Sequence, residues 1–288
     1  MRAYRLLIMI DLHSHILPGM DDGSEELSVS LDMARSYVAQ GVECVACTPH
    51  ILPGLYNNAG PQIRIAVHEL QRELDHAQIG LRLIAGADNH ITPDFVSGLS
   101  NGHLLALADT RYVLLEPPHH VVPIRLEELF FDILVAKYVP ILTHPERLTW
   151  IEDKYDLIQC LAKRGVWMQI TSGSLLGKFG RRPKYWAERM LSEGLVQILA
   201  TDAHDNARRR PDLLEGRIAA ENLIGVEEAE WLVVTRPRDV LCNKLSEDSV
   251  SLRKPALGDR RWGIGTHVKG HNTRDRGGFA QRLRRFFN

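Results

Sequence analysis

The decisive stretch is Asp11-Leu12-His13-Ser14-His15-Ile16-Leu17-Pro18-Gly19-Met20-Asp21-Asp22-Gly23-Ser24. It follows an apolar run over residues 6–10 that predicts a buried strand. Residues two apart in an extended chain point to the same side, so His13 and His15 project together. With the carboxylates that follow, two such imidazoles can share one cation. Taken alone, the same pattern equally describes two strand histidines followed by a polar turn.

The rest of the chain alternates strand and helix patterns about seven times. Each apolar run is followed by a polar segment and then by residues at helical spacing, which indicates a parallel sheet. In 288 residues, this count is close to that of a barrel, which typically has eight units in ~250 residues. The predicted strands are residues 43–48, 81–85, 111–115, 139–142, 166–170 and 196–200, and the main predicted helices are 27–39, 63–77, 126–137, 157–163 and 184–192.

Composition limits the class of protein. Apolar residues make up 44% and charged residues 25%, which is ordinary for a globular protein. Residues 251–288 contain ten Lys or Arg and two Asp, a net charge of +8, so the rest of the chain carries −9. An acidic folded part does not indicate a nucleic-acid-binding protein. We predict a body over residues 1–246, with residues 1–8 an optional extension, and a basic disordered tail over residues 247–288.

Features that the sequence lacks predict the location of the protein and the redox state of its cysteines. It has no apolar run of 18 residues, so no transmembrane segment is expected, and the four cysteines predict no disulfide framework. A reducing cytoplasm fits best. No cysteine is followed six residues later by an arginine, which excludes a phosphatase with a cysteine nucleophile, and no phosphate-binding glycine loop indicates nucleotide binding.

Metal-ligand side chains recur at or just beyond nearly every predicted strand end. Such ends form one rim in a parallel barrel, where groups from several strands converge. Imidazole and carboxylate donors without thiolate suit Mn²⁺, Zn²⁺ or Fe²⁺, and so many donors predict two or three divalent ions and metal-assisted hydrolysis. The candidate ligands are His13, His15, Asp22, His50, Asp88, Glu116, His144, Asp202 and His204.

Several motifs together resemble one known family. The first motif with Asp22, Thr48-Pro49-His50, His144-Pro145-Glu146-Arg147 and Thr201-Asp202-Ala203-His204 resemble the polymerase and histidinol phosphatase (PHP) family. The segments 16–24 and 173–180, and Arg210-Pro211, resemble its branch of bacterial protein-tyrosine phosphatases, the CpsB/YwqE type, tied to capsule and exopolysaccharide production. The resemblance covers residues 10–243. It implies an α/β fold of the distorted (β/α)7 TIM-like barrel type and three metal ions, often Mn²⁺.

The resemblance also implies a role for each candidate residue. His13, His15, Asp88 and Asp202 would hold one ion. Asp88 would bridge to a second ion, also held by Glu116 and His144. Asp22, His50 and His204 would hold the third. Arg147 and Arg210 would bind phosphate, for which planar guanidinium groups are suited. The family usually has Glu where Asp88 stands, so His90 is a candidate substitute or extra ligand.

The activity implied is removal of phosphate from phosphotyrosine in proteins. A metal-bound hydroxide would attack phosphorus in line, with Arg147, Arg210 and the Asp202 ligand at the catalytic centre. The partner implied is a bacterial tyrosine kinase that regulates polysaccharide export. Two alternatives stay open: a small-molecule phosphatase of the PHP superfamily, acting on histidinol phosphate or a sugar phosphate, and a non-catalytic metal-binding module. His119-His120 is either a substrate contact or part of a solvated loop.

Overall fold

The computed structural model describes residues 8–244, which form parallel strands alternating with helices. An α/β fold with parallel pairing is therefore confirmed. The strands are β1 Met9–Ser14, β2 Val42–Cys47, β3 His50–Ile51, β4 Arg82–Ala85, β5 Asp88–His90, β6 Tyr112–Glu116, β7 Val139–Thr143, β8 Trp167–Thr171 and β9 Ile198–Ala200. The first strand begins later than predicted and continues through His13, with residues 1–7 outside the described part.

The helices that follow the strands match most predicted positions. Helix α1 ends one residue before Gln40, and Gly41 then takes a left-handed backbone (φ 83°), which glycine adopts readily. Helix α2 begins at Gly60-Pro61, where proline needs no hydrogen-bond acceptor. The helices are α1 Leu27–Ala39, α2 Gly60–His76, α3 Phe95–Ser100, α4 Leu126–Val135, α5 Tyr155–Lys163, α6 Ser172–Leu175, α7 Arg181–Ser192, α8 Leu213–Ile224, α9 Val226–Glu230 and α10 Arg236–Leu241.

The strands form two sheets, which corrects the expectation of one continuous barrel sheet. One sheet has the order β1-β2-β4 and the other β3-β5-β6-β7-β8-β9. The division falls where two strand paths break, at Thr48-Pro49 and at Gly86-Ala87. Proline has no N–H to donate to a neighbouring strand, so one bond of the ladder is missing at Pro49. The two paths stay connected, because Gly86 N donates to Cys47 O at 3.1 Å and Asp88 N donates to Pro49 O at 3.2 Å. The paths resume as β3 and β5, which pair through His50 and Asp88.

The last strand approaches the first through a short junction. Ser14 and Ala203 form an isolated parallel bridge. His15 N donates to Ala203 O at 2.8 Å, and Asp202 N donates to His13 O at 2.9 Å. These bonds bring the ends of β1 and β9, which carry ligand-type residues, side by side.

Side-chain alternation along the strands separates two apolar cores. Ile10, Tyr112 and Ile141 belong to a cluster to which seven strand paths contribute, and Val240 of α10 packs into it. The alternate residues, such as Val113 and Leu142, pack in a larger cluster with the helices. The strand ends are thus held by apolar packing on both faces.

Three further points concern the cysteines, the helices and the tail. Cys44 and Cys47 are buried in β2 and burial raises the pKa of the Cys44 thiol to about 11, which fits core thiols. Among residues 8–244, no helix is long and apolar enough to cross a membrane. The predicted tail over residues 247–288 lies outside the described residues.

Candidate metal centre

The carboxyl ends of the strands bring the predicted ligands into one buried cluster. Seven of the nine candidates have almost fully buried side chains, His50 is 13% exposed and Asp22 is 47% exposed. Two ligands of one ion with bonds of ~2.1 Å lie about 3.0–3.4 Å apart at right or tetrahedral angles. The spacing of the donor atoms therefore shows which of them can share an ion.

The first group of donors surrounds the His13 imidazole. His13 Nε2 lies 3.2 Å from His15 Nε2, 3.5 Å from Asp88 Oδ2 and 3.4 Å from Asp202 Oδ1. His15 Nε2 lies 3.2 Å from the same oxygen of Asp202. The separations among His13, His15 and Asp202 fit three ligands of one ion, and the donor atoms of His13, His15 and Asp88 lie within 4.8 Å of one another.

The second group centres on Glu116, the last residue of β6. Glu116 Oε1 lies 3.4 Å from His144 Nε2, and the same nitrogen lies 4.0 Å from Asp88 Oδ2. Asp88 thus faces both groups through one oxygen. Asp88 is the first residue of β5, and its side chain is fully buried.

The third group uses the loop that follows β1. Asp22 Oδ1 lies 3.5 Å from His50 Nε2 and 3.6 Å from His204 Nε2. The loop folds back because Ser24 N donates to His15 O, and a Cβ at Gly23 would lie 2.3 Å from that oxygen. Only glycine allows this close approach, which delivers Asp22 to the cluster.

The histidines are oriented by partners that no sequence motif indicated. His13 Nδ1 donates to Gln169 Oε1 at 2.8 Å, and His15 Nδ1 donates to Asp21 Oδ2 at 2.6 Å. Bonding at Nδ1 directs Nε2 into the cluster, as metal-bound histidines require. Asp21 also accepts from the backbone N–H of His50 at 2.8 Å. Its place beside Asp22 in the Asp-Asp-Gly segment was the only sequence signal.

The charges in the cluster are poorly balanced without cations. Burial and the neighbouring Glu116 hold the pKa of Asp88 well above its usual range. Burial also lowers the pKa of His13 to about 4 and that of His50 to about 3. Burial works to raise the pKa of Glu116, but contacts with His119 and His90 hold it well below its usual value. Burial works to lower the pKa of His15, but Asp21 and Asp202 instead raise it to about 10. A carboxyl driven towards its neutral form beside His13 and His50, whose pKa values are lowered, indicates a site that accommodates positive charge.

Two unsatisfied atoms support the same conclusion. Asp88 Oδ2 and His204 Nε2 are buried and have no hydrogen-bond partner among residues 8–244. Buried polar atoms normally have a partner, so these two atoms require one. The nitrogen and oxygen donors, their 3.2–3.6 Å spacing in the first and third groups, and these orphaned atoms fit divalent metal ions.

Asp202 links the cluster to a pair of arginines. Its Oδ1 faces His13 and His15, whereas its Oδ2 accepts from Arg147 at 2.5 Å and from Arg209 at 2.6 Å. Burial works to raise the pKa of Asp202, but Arg209 and the histidines hold it well below its usual range. Two partly exposed guanidinium groups therefore lie directly beside the donor cluster, where they can receive an anion.

The second arginine of this pair is Arg209, not the predicted Arg210. The Arg210 guanidinium donates to both oxygens of Glu215, at 2.6 and 2.7 Å. Asp205 fixes the turn that returns Arg209 to Asp202, because its carboxylate accepts from the backbone N–H groups of residues 207–209. The Arg210-Pro211 motif favoured Arg210 among three consecutive arginines, whereas this turn places Arg209 beside Asp202.

The guanidinium of Arg147 packs against the aromatic ring of Phe179. It lies 4.6 Å from the ring centroid, a distance at which a cation and a ring attract. Phe179 in turn lies over Gly173, where a Cβ would come within 2.8 Å of the ring. Glu146, next to Arg147, accepts hydrogen bonds from Thr171 and Ser174, which anchors the short turn that carries the arginine.

Two further histidines border Glu116. His90 Nε2 lies 2.6 Å from Glu116 Oε2 and 3.2 Å from His50 Nδ1. His119 Nε2 lies 3.1 Å from Glu116 Oε1. Both therefore contact the cluster, in addition to the predicted ligands. Asp88 and His90 face it together rather than as alternatives.

A parallel α/β protein with a multi-histidine, multi-carboxylate centre at its strand ends is a candidate metal-dependent hydrolase. The family model for capsular polysaccharide synthesis, CpsB/CapC, matches residues 9–242 of the chain. The chain belongs to that family.

Individual relatives agree with this assignment. The chain is 37% identical over 219 residues to the tyrosine-protein phosphatase YwqE of Bacillus subtilis, covering 76% of this chain and 86% of that protein. It is 30% identical over 246 residues to the tyrosine-protein phosphatase CpsB of Streptococcus pneumoniae, covering 82% and 100%. A crystal structure from work on YwqE and CpsB of these two organisms, metal-dependent tyrosine phosphatases, matches with a TM-score of 0.80 and 34% identity, covering 88% of this chain and 100% of that one.

Proposed function

We propose that this protein is a metal-dependent protein-tyrosine phosphatase. The observation that carries the proposal is the position of the Asp202 carboxylate. Its Oδ1 faces the His13 group, and its Oδ2 accepts from Arg147 and Arg209. A phosphoryl group at this boundary would contact the metal centre on one side and two guanidinium groups on the other. Relatives with 30–37% identity that are named tyrosine-protein phosphatases support the choice of substrate class.

We assign three ion positions to the three donor groups. The first is formed by His13, His15, Asp88 and Asp202, the second by Asp88, Glu116 and His144, and the third by Asp22, His50 and His204. Divalent ions bound there, which we propose to be Mn²⁺ with Fe²⁺ or Zn²⁺ as alternatives, would supply a water of lowered pKa and neutralise phosphoryl oxygens.

The chain's own residues bind and orient the substrate. Arg147 and Arg209 would release Asp202 Oδ2 in part and donate to the phosphoryl oxygens, stabilising the charge that develops as the phosphorus–oxygen bond breaks. Phe179 holds Arg147 in place during this exchange. The leaving phenol has a pKa of ~10, so its phenolate departs with less protonation than an alkoxide needs, and no residue of the chain is assigned as general acid.

The proposal also includes the barrel architecture, the cellular location and the physiological substrate. Counting β2 with β3 and β4 with β5 gives seven strand positions, which supports a distorted (β/α)7 barrel of the PHP type with the β1–β9 junction as its seam. We propose a cytoplasmic location and, as physiological substrate, a phosphorylated bacterial tyrosine kinase that regulates capsule synthesis. The family's link to capsular polysaccharide synthesis supports that substrate.

Comparison of substrates tests the function. The purified protein, stripped with chelator and then given Mn²⁺, is assayed on a phosphotyrosine peptide, histidinol phosphate and sugar phosphates. We expect no turnover after stripping, recovery with Mn²⁺ and a strong preference for the peptide. Turnover that survives stripping, or no turnover with metal restored, would contradict the proposal. Preference for an alkyl phosphate would replace it with a small-molecule phosphatase.

A further inference from the structure

The loop after β6 carries a histidine into the metal centre. His119 Nε2 lies 3.1 Å from Glu116 Oε1, and its ring lies 5.2 Å from that of His144 in an edge-to-face arrangement. The donor atoms of Glu116, His119 and His144 all lie within 4.8 Å of one another. The neighbouring His120 is exposed and belongs to none of the donor groups among residues 8–244.

The backbone of this loop is fixed to the segment that carries His144. Thr149 donates to His119 O twice, from its backbone N–H at 2.9 Å and from its hydroxyl at 3.0 Å. Trp150 Nε1 donates to Pro118 O at 3.1 Å. The two prolines before His119 further restrict the backbone. A loop on the protein surface is thereby held so that one particular side chain faces Glu116.

The distance from Glu116 distinguishes His119 from His90. Two ligands of one ion with bonds of ~2.1 Å come no closer than about 3.0 Å at right angles. His119 satisfies this limit at 3.1 Å. His90, at 2.6 Å from the other oxygen, is too close for both atoms to bind one ion, and so it positions the carboxylate instead.

We propose that His119 is a further ligand of the second ion position, on its solvent side. This inference rests on the proposed function for the assignment of that position to Asp88, Glu116 and His144. With His119, the second position has four protein donors, whereas the third has three, of which Asp22 is half-exposed. The side chain of His119 is 29% exposed, so it covers the second position without closing it.

Metal binding by matched histidine variants tests the inference. The full-length protein, His119→Ala and His120→Ala are stripped of metal and titrated with Mn²⁺ alone by calorimetry and equilibrium dialysis. We expect His119→Ala to weaken one class of site by about tenfold or more, with His120→Ala like the wild type. The visible absorption of bound Co²⁺, which reports its ligands, should change in His119→Ala only.

Two results would overturn the inference. One is His119→Ala binding Mn²⁺ with the stoichiometry and affinity of the wild type. The other is a raised KM for the phosphopeptide with metal binding unchanged, which would make His119 a substrate contact. Circular dichroism in chelator shows that the variants are folded. Failure here leaves the metal-dependent turnover of the wild type intact, whereas failure of the proposed function is seen in the wild type itself.

Discussion

The metal centre has a buried wall and an open rim, and they are built differently. The buried wall is His13, His15, Asp88 and Asp202, all at most 2% exposed. The open rim is Asp22, Arg147, Phe179 and Arg209. The wall is fixed through bonds to Gln169 and Asp21 that exist before any substrate arrives. The rim arginines are held mainly by charge contacts with Asp202, which a phosphate group can exchange. The difference indicates that the wall decides binding of the first ion, whereas the rim residues Arg147, Phe179 and Arg209 decide substrate binding.

The largest effect is expected at the wall. His13→Ala removes the nitrogen around which the first donor group is arranged, so we expect kcat/KM on a phosphotyrosine peptide to fall about 10³-fold, as several kcal/mol of transition-state stabilisation are lost. Bound metal, measured by elemental analysis, should fall with it. His68→Ala, on the exposed face of α2, is the control and should retain both. Full metal content in His13→Ala would show that the wall does not determine metal binding.

Variants of the adjacent residues Asp21 and Asp22 distinguish a residue that supports the wall from a residue of the rim. The buried carboxylate of Asp21 accepts hydrogen bonds from His15, His50 and Gly23. Asp21→Asn replaces one of its two accepting oxygens with an amide N–H₂ group, which cannot accept these bonds. We expect a loss of about 1–3 kcal/mol of unfolding free energy in chelator and about 10–100-fold weaker Mn²⁺ binding. Asp22→Asn, at a half-exposed position, should unfold like the wild type in chelator while also binding Mn²⁺ more weakly. Equal unfolding free energies for the two variants would contradict this division.

Neighbouring arginines provide a test of the rim. Arg209→Ala removes a guanidinium beside Asp202, and a hydrogen bond to a charged group contributes about 1.5–3 kcal/mol, so we expect KM for the peptide to rise about tenfold or more. Arg210→Ala should leave KM within about twofold, because Arg210 pairs with Glu215. Metal content should be unchanged in both. The reverse order of KM values would restore Arg210 as the phosphate ligand.

The smallest effect is expected at Phe179. Phe179→Leu keeps an apolar side chain over Gly173 but removes the ring under Arg147, a contact that contributes about 0.5–1 kcal/mol at a partly exposed site. We expect a two- to fivefold increase in KM, since about 1.4 kcal/mol corresponds to tenfold. Phe179→Tyr keeps the ring and should restore KM. A loss in Phe179→Tyr equal to that in Phe179→Leu would show that packing, not the ring, supports Arg147.

The sequence predicted the wall better than the rim, for a physical reason. His13, Asp88 and Asp202 stand at or next to strand ends, and parallel strands bring such ends together wherever the loops go. The rim residue Arg209 and the supporting residue Asp21 depend on single turns, set by Asp205 and Gly23, whose geometry short-range patterns do not specify. The two sheets were also not predicted. Pro49 and Gly86 were visible as strand interruptions, but which strands pair after an interruption is decided by packing across the whole body.

The short junction between β1 and β9 has a consequence for how the protein acquires its metal centre. Asp11 accepts hydrogen bonds from Thr201, 190 residues later, and Tyr37 donates to the same carboxylate. Contacts of such high sequence separation form late, because the entropy of closing a long loop must be overcome first. During synthesis, His13 and His15 therefore leave the ribosome long before Asp202, the fourth donor of the wall, exists. The centre therefore becomes complete only when nearly the whole body has been made.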